Sequence, residues 1–255
     1  MFKRGQITIF LVVGILILFI TAGGYFLKNK LSVSNFEQES KMVEPLTFKT
    51  ASLKIYADSC LKEAVLSSIQ IVAAQGGYAY FYGETILREN IEIAYHLKNE
   101  KVIYPGNYFL ENELSLLIKD AFGLCLNKIS ISPGTEIKTG EMKINLAINQ
   151  KKIAVKIDYP ITILQENKEI TLENYQGEYD SNLGYLLKAS SELVTILSSQ
   201  KTIPLNTLSS YDLIIKVMPI GDKSIIYSLV DEQNIVDERN RVNRQPLVFN
   251  FAVGR

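Results

Sequence analysis

The chain contains one histidine, His96. Catalysis through an imidazole needs an orienting partner or a nucleophile within hydrogen-bond reach. His96 lies between Tyr95 and Leu97 in an alternating stretch, on the face of Glu92 and opposite Ile93, Tyr95 and Leu97. No G-x-S-x-G or H-E-x-x-H motif accompanies it. His96 therefore reads as a surface or sheet-face residue, and no catalytic residue is assigned.

The acidic residues offer a second route to chemistry. Glu173, Glu178 and Asp180 cluster with Tyr175 and Tyr179. Glycoside hydrolysis uses paired carboxylates, so this is where a sugar site would be sought. A solvated loop accounts for the cluster equally well. Asp231, Glu232, Asp237 and Glu238 lack the alternation and central glycine of a calcium loop, and Arg239, Arg241 and Arg244 stand beside them. Gly76-Gly77 closes a helical pattern rather than opening one, the wrong context for phosphate. None of these residues implies a cofactor or a metal.

The two cysteines are Cys60 and Cys125. Two thiols cannot build a structural zinc site alone, and they do not form a C-x-x-C redox motif. Outside a membrane the natural reading is one disulfide, closing a loop of about 65 residues and contributing about 4 kcal/mol. The alternative is two independent buried thiols. Tyr78, Tyr80, Tyr82, Tyr104 and Tyr108 gather around one predicted hairpin. Tyrosine combines an apolar ring with a polar tip, which suits an interaction face, although alternating tyrosines also pack ordinary sheets.

Elements must position these side chains. Leu53, Tyr56, Ala57, Cys60, Leu61, Ala64, Val65, Ile69 and Val72 follow helical spacing, and Gly76-Gly77 is a suitable stop. Tyr78, Tyr80 and Tyr82, then Ile91, Ile93, Tyr95 and Leu97, alternate as strands do. A second helix over residues 108–126 carries Leu110, Leu114, Leu117, Ala121, Leu124 and Cys125 on one side. Both cysteines thus fall on core-facing stripes. Met142, Ile144, Leu146 and Ile148 alternate, a polar turn follows, and Ile153, Val155, Ile157 and Tyr159 alternate again, which predicts a hairpin. Pro160 interrupts it, Ile170 and Leu172 suggest another strand, and residues 176–181 read as an acidic turn. A third helix spans residues 182–199, with Leu183, Leu186, Leu187, Ser190, Val194 and Leu197 on one face. Strands over residues 212–218 and 223–230 follow, and Leu247, Phe249, Phe251 and Val253 alternate in a last one. Charge balances to +0, which implies no long-range attraction to nucleic acid.

The amino-terminal end fixes the compartment. Met1-Phe2-Lys3-Arg4-Gly5-Gln6 precedes an uncharged run over residues 7–27. A helix of that length spans about 30 Å, the thickness of a bilayer's hydrocarbon core. Lys3 and Arg4 precede the span while Lys28 and Lys30 follow it, so the charge count is nearly tied. The short head favours a cytoplasmic amino terminus. Residues 31–44 read either as a polar stalk or as a continuation of the helix, since nothing stops it before Pro45.

Lys3-Arg4-Gly5-Gln6-Ile7-Thr8 and the apolar run after it resemble the class III signal peptide of archaeal type IV pilin-like proteins. The resemblance implies cleavage by a prepilin-type peptidase between Gly5 and Gln6, with the helix retained. Many such pilins carry a Glu at the fifth mature position, where this chain has Phe10. An apolar residue cannot pair with a neighbour's amine, which favours a minor pilin-like subunit or an anchored surface protein over a major filament subunit. Ala57-Asp58-Ser59-Cys60-Leu61, Gln75-Gly76-Gly77-Tyr78, Cys125-Leu126-Asn127 and Phe249-Asn250-Phe251-Ala252 are similar to archaeal single-pass membrane proteins with this head. That group implies a location and no activity.

The expectation is an α+β protein. An N-terminal transmembrane helix precedes a mixed or antiparallel sheet with about three amphipathic helices packed on it. Residues 1–30 are head and membrane helix, 31–45 a stalk or helix extension, and 46–255 an extracytoplasmic domain. The functional expectation is a membrane-anchored structural or interaction protein. Membrane lipid, the peptidase and other pilin-like or membrane subunits are its partners, and nucleic acid is not. An anchored envelope-acting hydrolase, or an accessory subunit of a membrane complex, is the alternative.

Overall fold

A computed structural model of the protein describes residues 50–81, 83–127, 135–165, 168–200, 202–235 and 246–254. The head with Gly5 and Gln6, the apolar run 7–27, the segment 31–45 and Tyr82 lie outside the described residues. Among the described residues, no helix is long and apolar enough to cross a membrane.

The described elements begin with α1 (Thr50–Ala74), β1 (Thr85–Arg88), β2 (Ile91–Lys98), β3 (Lys101–Val102) and α2 (Asn107–Leu126). Six strands follow: β4 (Thr135–Thr139), β5 (Lys143–Ile148), β6 (Lys152–Asp158), β7 (Ile161–Gln165), β8 (Lys168–Leu172) and β9 (Tyr175–Asp180). Then come α3 (Leu183–Ser199), the single turn α4 (Leu205–Leu208), β10 (Ile214–Ile220), β11 (Ser224–Ile235) and β12 (Pro246–Gly254). The class is α+β, and the single sheet expected from the sequence resolves into three ladders. One has six strands in the order β1-β2-β12-β11-β10, with β3 also on β2; the others are β4-β7-β8 and β5-β6-β9. Among the described residues all strand pairings are antiparallel except β12 on β2, which is parallel.

Helix α1 buries Leu53, Ala57, Cys60, Leu61, Ala64, Val65, Ile69 and Val72, as its periodicity predicts. It ends where two glycines take left-handed angles, Gly76 at φ 81° and Gly77 at φ 92°. The Gly77 N–H donates to the Val72 carbonyl at 2.8 Å and the Gly76 N–H to Ala73 at 3.3 Å, a Schellman closure of the helix.

Helix α2 is rotated from its expected orientation. Its buried stripe is Leu110, Leu114, Ile118, Phe122 and Leu126, while Leu124 is 66% exposed. The i, i+4 row through Phe122 wins because it buries the largest ring, which meets Tyr175 edge-on at 5.3 Å. A fully buried side chain of this class contributes about 1.5–3 kcal/mol. Cys125 sits at the margin of that stripe and joins Cys60: S–S 2.06 Å, Cα–Cα 5.6 Å. The Tyr56 hydroxyl donates to the Cys125 carbonyl at 3.0 Å beside the bridge.

The predicted hairpin is present as β5 and β6, with Ile144 opposite Ile157 and Ile148 opposite Ile153. Residues 176–181, expected as a turn, instead supply strand β9 on the far side of β6. The reason is period two: Tyr175, Gly177 and Tyr179 match Ile157, Val155 and Ile153, while Gln176, Glu178 and Asp180 face the other way. Residues 78–80, expected as strand, form a bend held by a side chain described below.

Candidate functional site

Two tyrosine-bearing loops abut. Gly77 packs against Pro105 so closely that a β-carbon would lie 2.7 Å from the proline Cγ. The loop after α1 therefore runs beside the Tyr104-Pro105-Gly106 entry to α2. Glu113, on the core side of α2 and 4% exposed, holds that loop. Its Oε2 accepts the Ala79 N–H at 2.7 Å and the Tyr80 N–H at 3.1 Å. Carboxylate acceptance of two backbone donors replaces the ladder that residues 78–80 lack.

Tyr78 is an anchor rather than a contact residue. Its ring meets Phe109 edge-on at 5.0 Å and its hydroxyl donates to the Ile103 carbonyl at 3.1 Å. Burial, and secondarily the Glu113 charge, push its pKa above the ordinary phenol value. Tyr80 is 44% exposed, with its hydroxyl donating to Asp120 Oδ2 at 2.9 Å. Tyr104 and Tyr108 are 38% and 78% exposed. The result is a set of outward rings on a fixed backbone.

His96 is fully buried, not at a surface. The β2–β12 pairing covers only Tyr95–Lys98 and 252–254, and the terminal turn of α1 inserts beside it. Three successive carbonyls of that turn find partners on the two strands. Ala74 accepts from Asn250 Nδ2 at 3.0 Å, Gln75 from the Ala94 N–H at 3.3 Å, and Gly76 from His96 Nε2 at 2.7 Å. A β-carbon on Gly76 would stand 2.9 Å from the Asn250 carbonyl and 3.3 Å from His96 Nε2, so glycine is required twice over. With the proton on Nε2, Nδ1 is left as a buried atom with no hydrogen-bond partner among the described residues. The ring stacks on Phe251 at 5.1 Å and meets Phe249 edge-on at 5.9 Å. Burial drives its pKa down to about 4, against a smaller upward pull from the Gly76 carbonyl. A neutral, enclosed imidazole of this kind docks a helix end to a sheet.

The carboxylates of the acidic cluster are divided by the strand. Glu173, Glu178 and Asp180 are all exposed. Glu178 lies on the outer face of β9, where it pairs with Lys152 at 3.3 Å and lines an open trough of about 560 Å³ with Lys156 and Gln176. Tyr175 and Tyr179 face inward. The Tyr175 hydroxyl is buried without a hydrogen-bond partner among the described residues. Its pKa is pushed up to about 12, first by burial and then by Tyr159, Asp58 and Glu173. Tyr179 rises to about 12 through burial and Asp58. Among the described residues, no group of three or more His, Cys, Asp or Glu is placed to hold a metal ion.

Glu113 and Asn250 escape a reading by periodicity. The signals for both are present, an acid between Leu110 and Leu114 on a helical stripe and an amide between Phe249 and Phe251 in an apolar strand. Compared with protein-family models, curated proteins and solved structures, the chain matches none.

Proposed function

We propose that the chain is a membrane-anchored, extracytoplasmic interaction protein, a minor pilin-like surface subunit whose anchor is the apolar run 7–27. The observation that carries this reading is the Cys60–Cys125 disulfide between α1 and α2. Such bonds persist in oxidising, exterior compartments and are rare where thiols are kept reduced. The exposed rings of Tyr80, Tyr104 and Tyr108, on a loop system fixed by Glu113, supply the contact surface. Other membrane or pilin-like subunits are the partners that this anchor and surface suit.

The test is amino-terminal sequencing of the protein purified from membranes, with thiol labelling before and after reduction. A mature chain starting at Gln6, with both cysteines labelled only after reduction, is the expected result. A chain starting at Met1 or near Tyr25 overturns pilin-like processing. Free thiols in the native protein overturn the exterior location.

A further inference from the structure

The carboxyl end of α3, the β2–β3 turn and the end of β12 enclose a half-open cleft of about 610 Å³. Its size is that of a small-molecule site. Leu97, Ile225, Tyr227 and Val253 give it an apolar floor. The Tyr227 ring is stacked on Phe251 at 5.3 Å, so this floor is rigid.

The rim is polar, with Asn99, Glu100, Ser198, Ser199 and Gln200 along it. Ser198 and Ser199 both line it, and both hydroxyls donate back into the helix, to Thr195 at 2.8 Å and to Ile196 at 3.1 Å. Their oxygen lone pairs are what remains to face a ligand. The helix ends here, so its last carbonyls and the negative end of its dipole add to the same sign.

Glu100 adds a full charge. It lines the cleft from the two-residue turn Asn99-Glu100, where both residues have positive φ, 49° and 64°. Asparagine tolerates that conformation, but the second position of such a turn favours glycine, and glutamate there is strained. Among the described residues no Lys or Arg is paired with Glu100. The adjacent Lys98 is directed to Glu84 and lies over the Tyr95 ring.

We infer that this cleft binds a primary ammonium group carried on a short apolar body. The head is held by Glu100 and the α3 carboxyl end, and the body rests on Leu97, Tyr227 and Val253. The inference does not depend on the membrane reading. A free alkylamine and the side chain of a lysine in a partner peptide present the same chemistry.

Amide chemical-shift titration of the full-length chain in detergent micelles tests this and reads the site directly at Asn99, Glu100, Ser199 and Gly254. Butylammonium should bind there at least about fivefold more tightly than butyrate or butanol, the ratio expected for one partly screened charge. Glu100→Gln should erase that preference. Glu100→Gly should erase it too while leaving the melting temperature unchanged or higher, because glycine relieves the turn. Acetyl-lysine-methylamide distinguishes the sources: binding as tight as butylammonium or tighter assigns a lysyl partner, and weaker binding assigns a free amine. Equal binding of butylammonium and butyrate, or an unchanged affinity in Glu100→Gln, overturns the proposal. A lower melting temperature in Glu100→Gly overturns the argument that the acid is kept against the turn's preference.

Discussion

The β5-β6-β9 ladder and the β2–β12 pair solve the same problem in opposite ways. In the first, one face is buried and the other wet, so Ile153, Val155 and Ile157 alternate with Lys152, Ala154, Lys156 and Asp158. In the second, burial runs unbroken over residues 93–97 and 251–254. A strand buried on both faces cannot send its polar side chains to water. His96 and Asn250 are instead used on the end of α1, where they donate to the Gly76 and Ala74 carbonyls. The wet-faced ladder tolerates polar residues by facing them outward; the enclosed pair must find each one a structural task.

The covalent staple spans this divide. Cys60 and Cys125 tie α2, which packs against β5, to α1, which packs against both β9 and β12, and nothing covalent ties β2 to β12. The largest effect on the comparison should come from removing it. A Cys60→Ala/Cys125→Ala chain should lose about 4 kcal/mol of unfolding free energy in denaturant titration, the chain-entropy value for a loop of this length. A loss below about 1 kcal/mol would mean that residual structure already restricts the unfolded chain and takes up most of what the bond contributes.

Acid should attack the β2–β12 pair. The folded-state pKa of His96, about 4, lies below its unfolded value of 6.5. Between those values the unfolded chain binds the proton and the folded chain does not. The stability associated with the neutral ring is therefore complete above pH 6.5, falls as the pH is lowered, and is gone below 4. The span corresponds to about 3 kcal/mol. Melting curves of the native chain and of His96→Gln across this window separate the histidine from titrating carboxylates. The variant should show a shallower loss, by about that amount. Parallel pH profiles would mean that the ring takes up its proton at the same pH folded and unfolded, and the docking account of β2–β12 would fail.

The same divide sets what can be read from residues alone. The β5–β6 hairpin and the apolar face of α1 are legible because each has one buried side, and a single period describes it. The orientation of α2 is not, because Leu110, Leu114, Leu117, Ile118, Phe122 and Leu124 offer overlapping stripes, and packing on α1, β5 and the Tyr175 ring selects among them. Strand β9 looks like a turn because its outward half is acidic and its inward half includes Gly177. The site shows the same pattern. Cysteine pairing is legible from the two thiols on helical segments, although Cys125 stands beside the buried stripe and not on it, whereas Glu113 acts on backbone donors 33 and 34 residues away. No local rule links an acid in one helix to the N–H groups of a loop before it.

The smallest effect should come from the wet face. Lys152 and Glu178 meet at 3.3 Å across β6 and β9, with side chains 56% and 69% exposed. Exposed pairs of this sort contribute about 0–1 kcal/mol, because water and salt screen the attraction and two long side chains lose freedom. Glu178→Gln keeps the shape and removes the charge, so stability should change by less than about 0.5 kcal/mol and become indifferent to added salt at this position. The contrast with Glu113 is then a matter of environment and not of residue type. Both are glutamates on regular elements, but only Glu113 is enclosed and committed to two N–H groups that have no ladder partner. If Glu178→Gln instead costs more than about 2 kcal/mol, the outer face of this ladder is not an ordinary solvated surface. The trough it lines with Lys156 and Gln176 would then be a packed surface whose polar groups depend on one another, as they do around the end of α1.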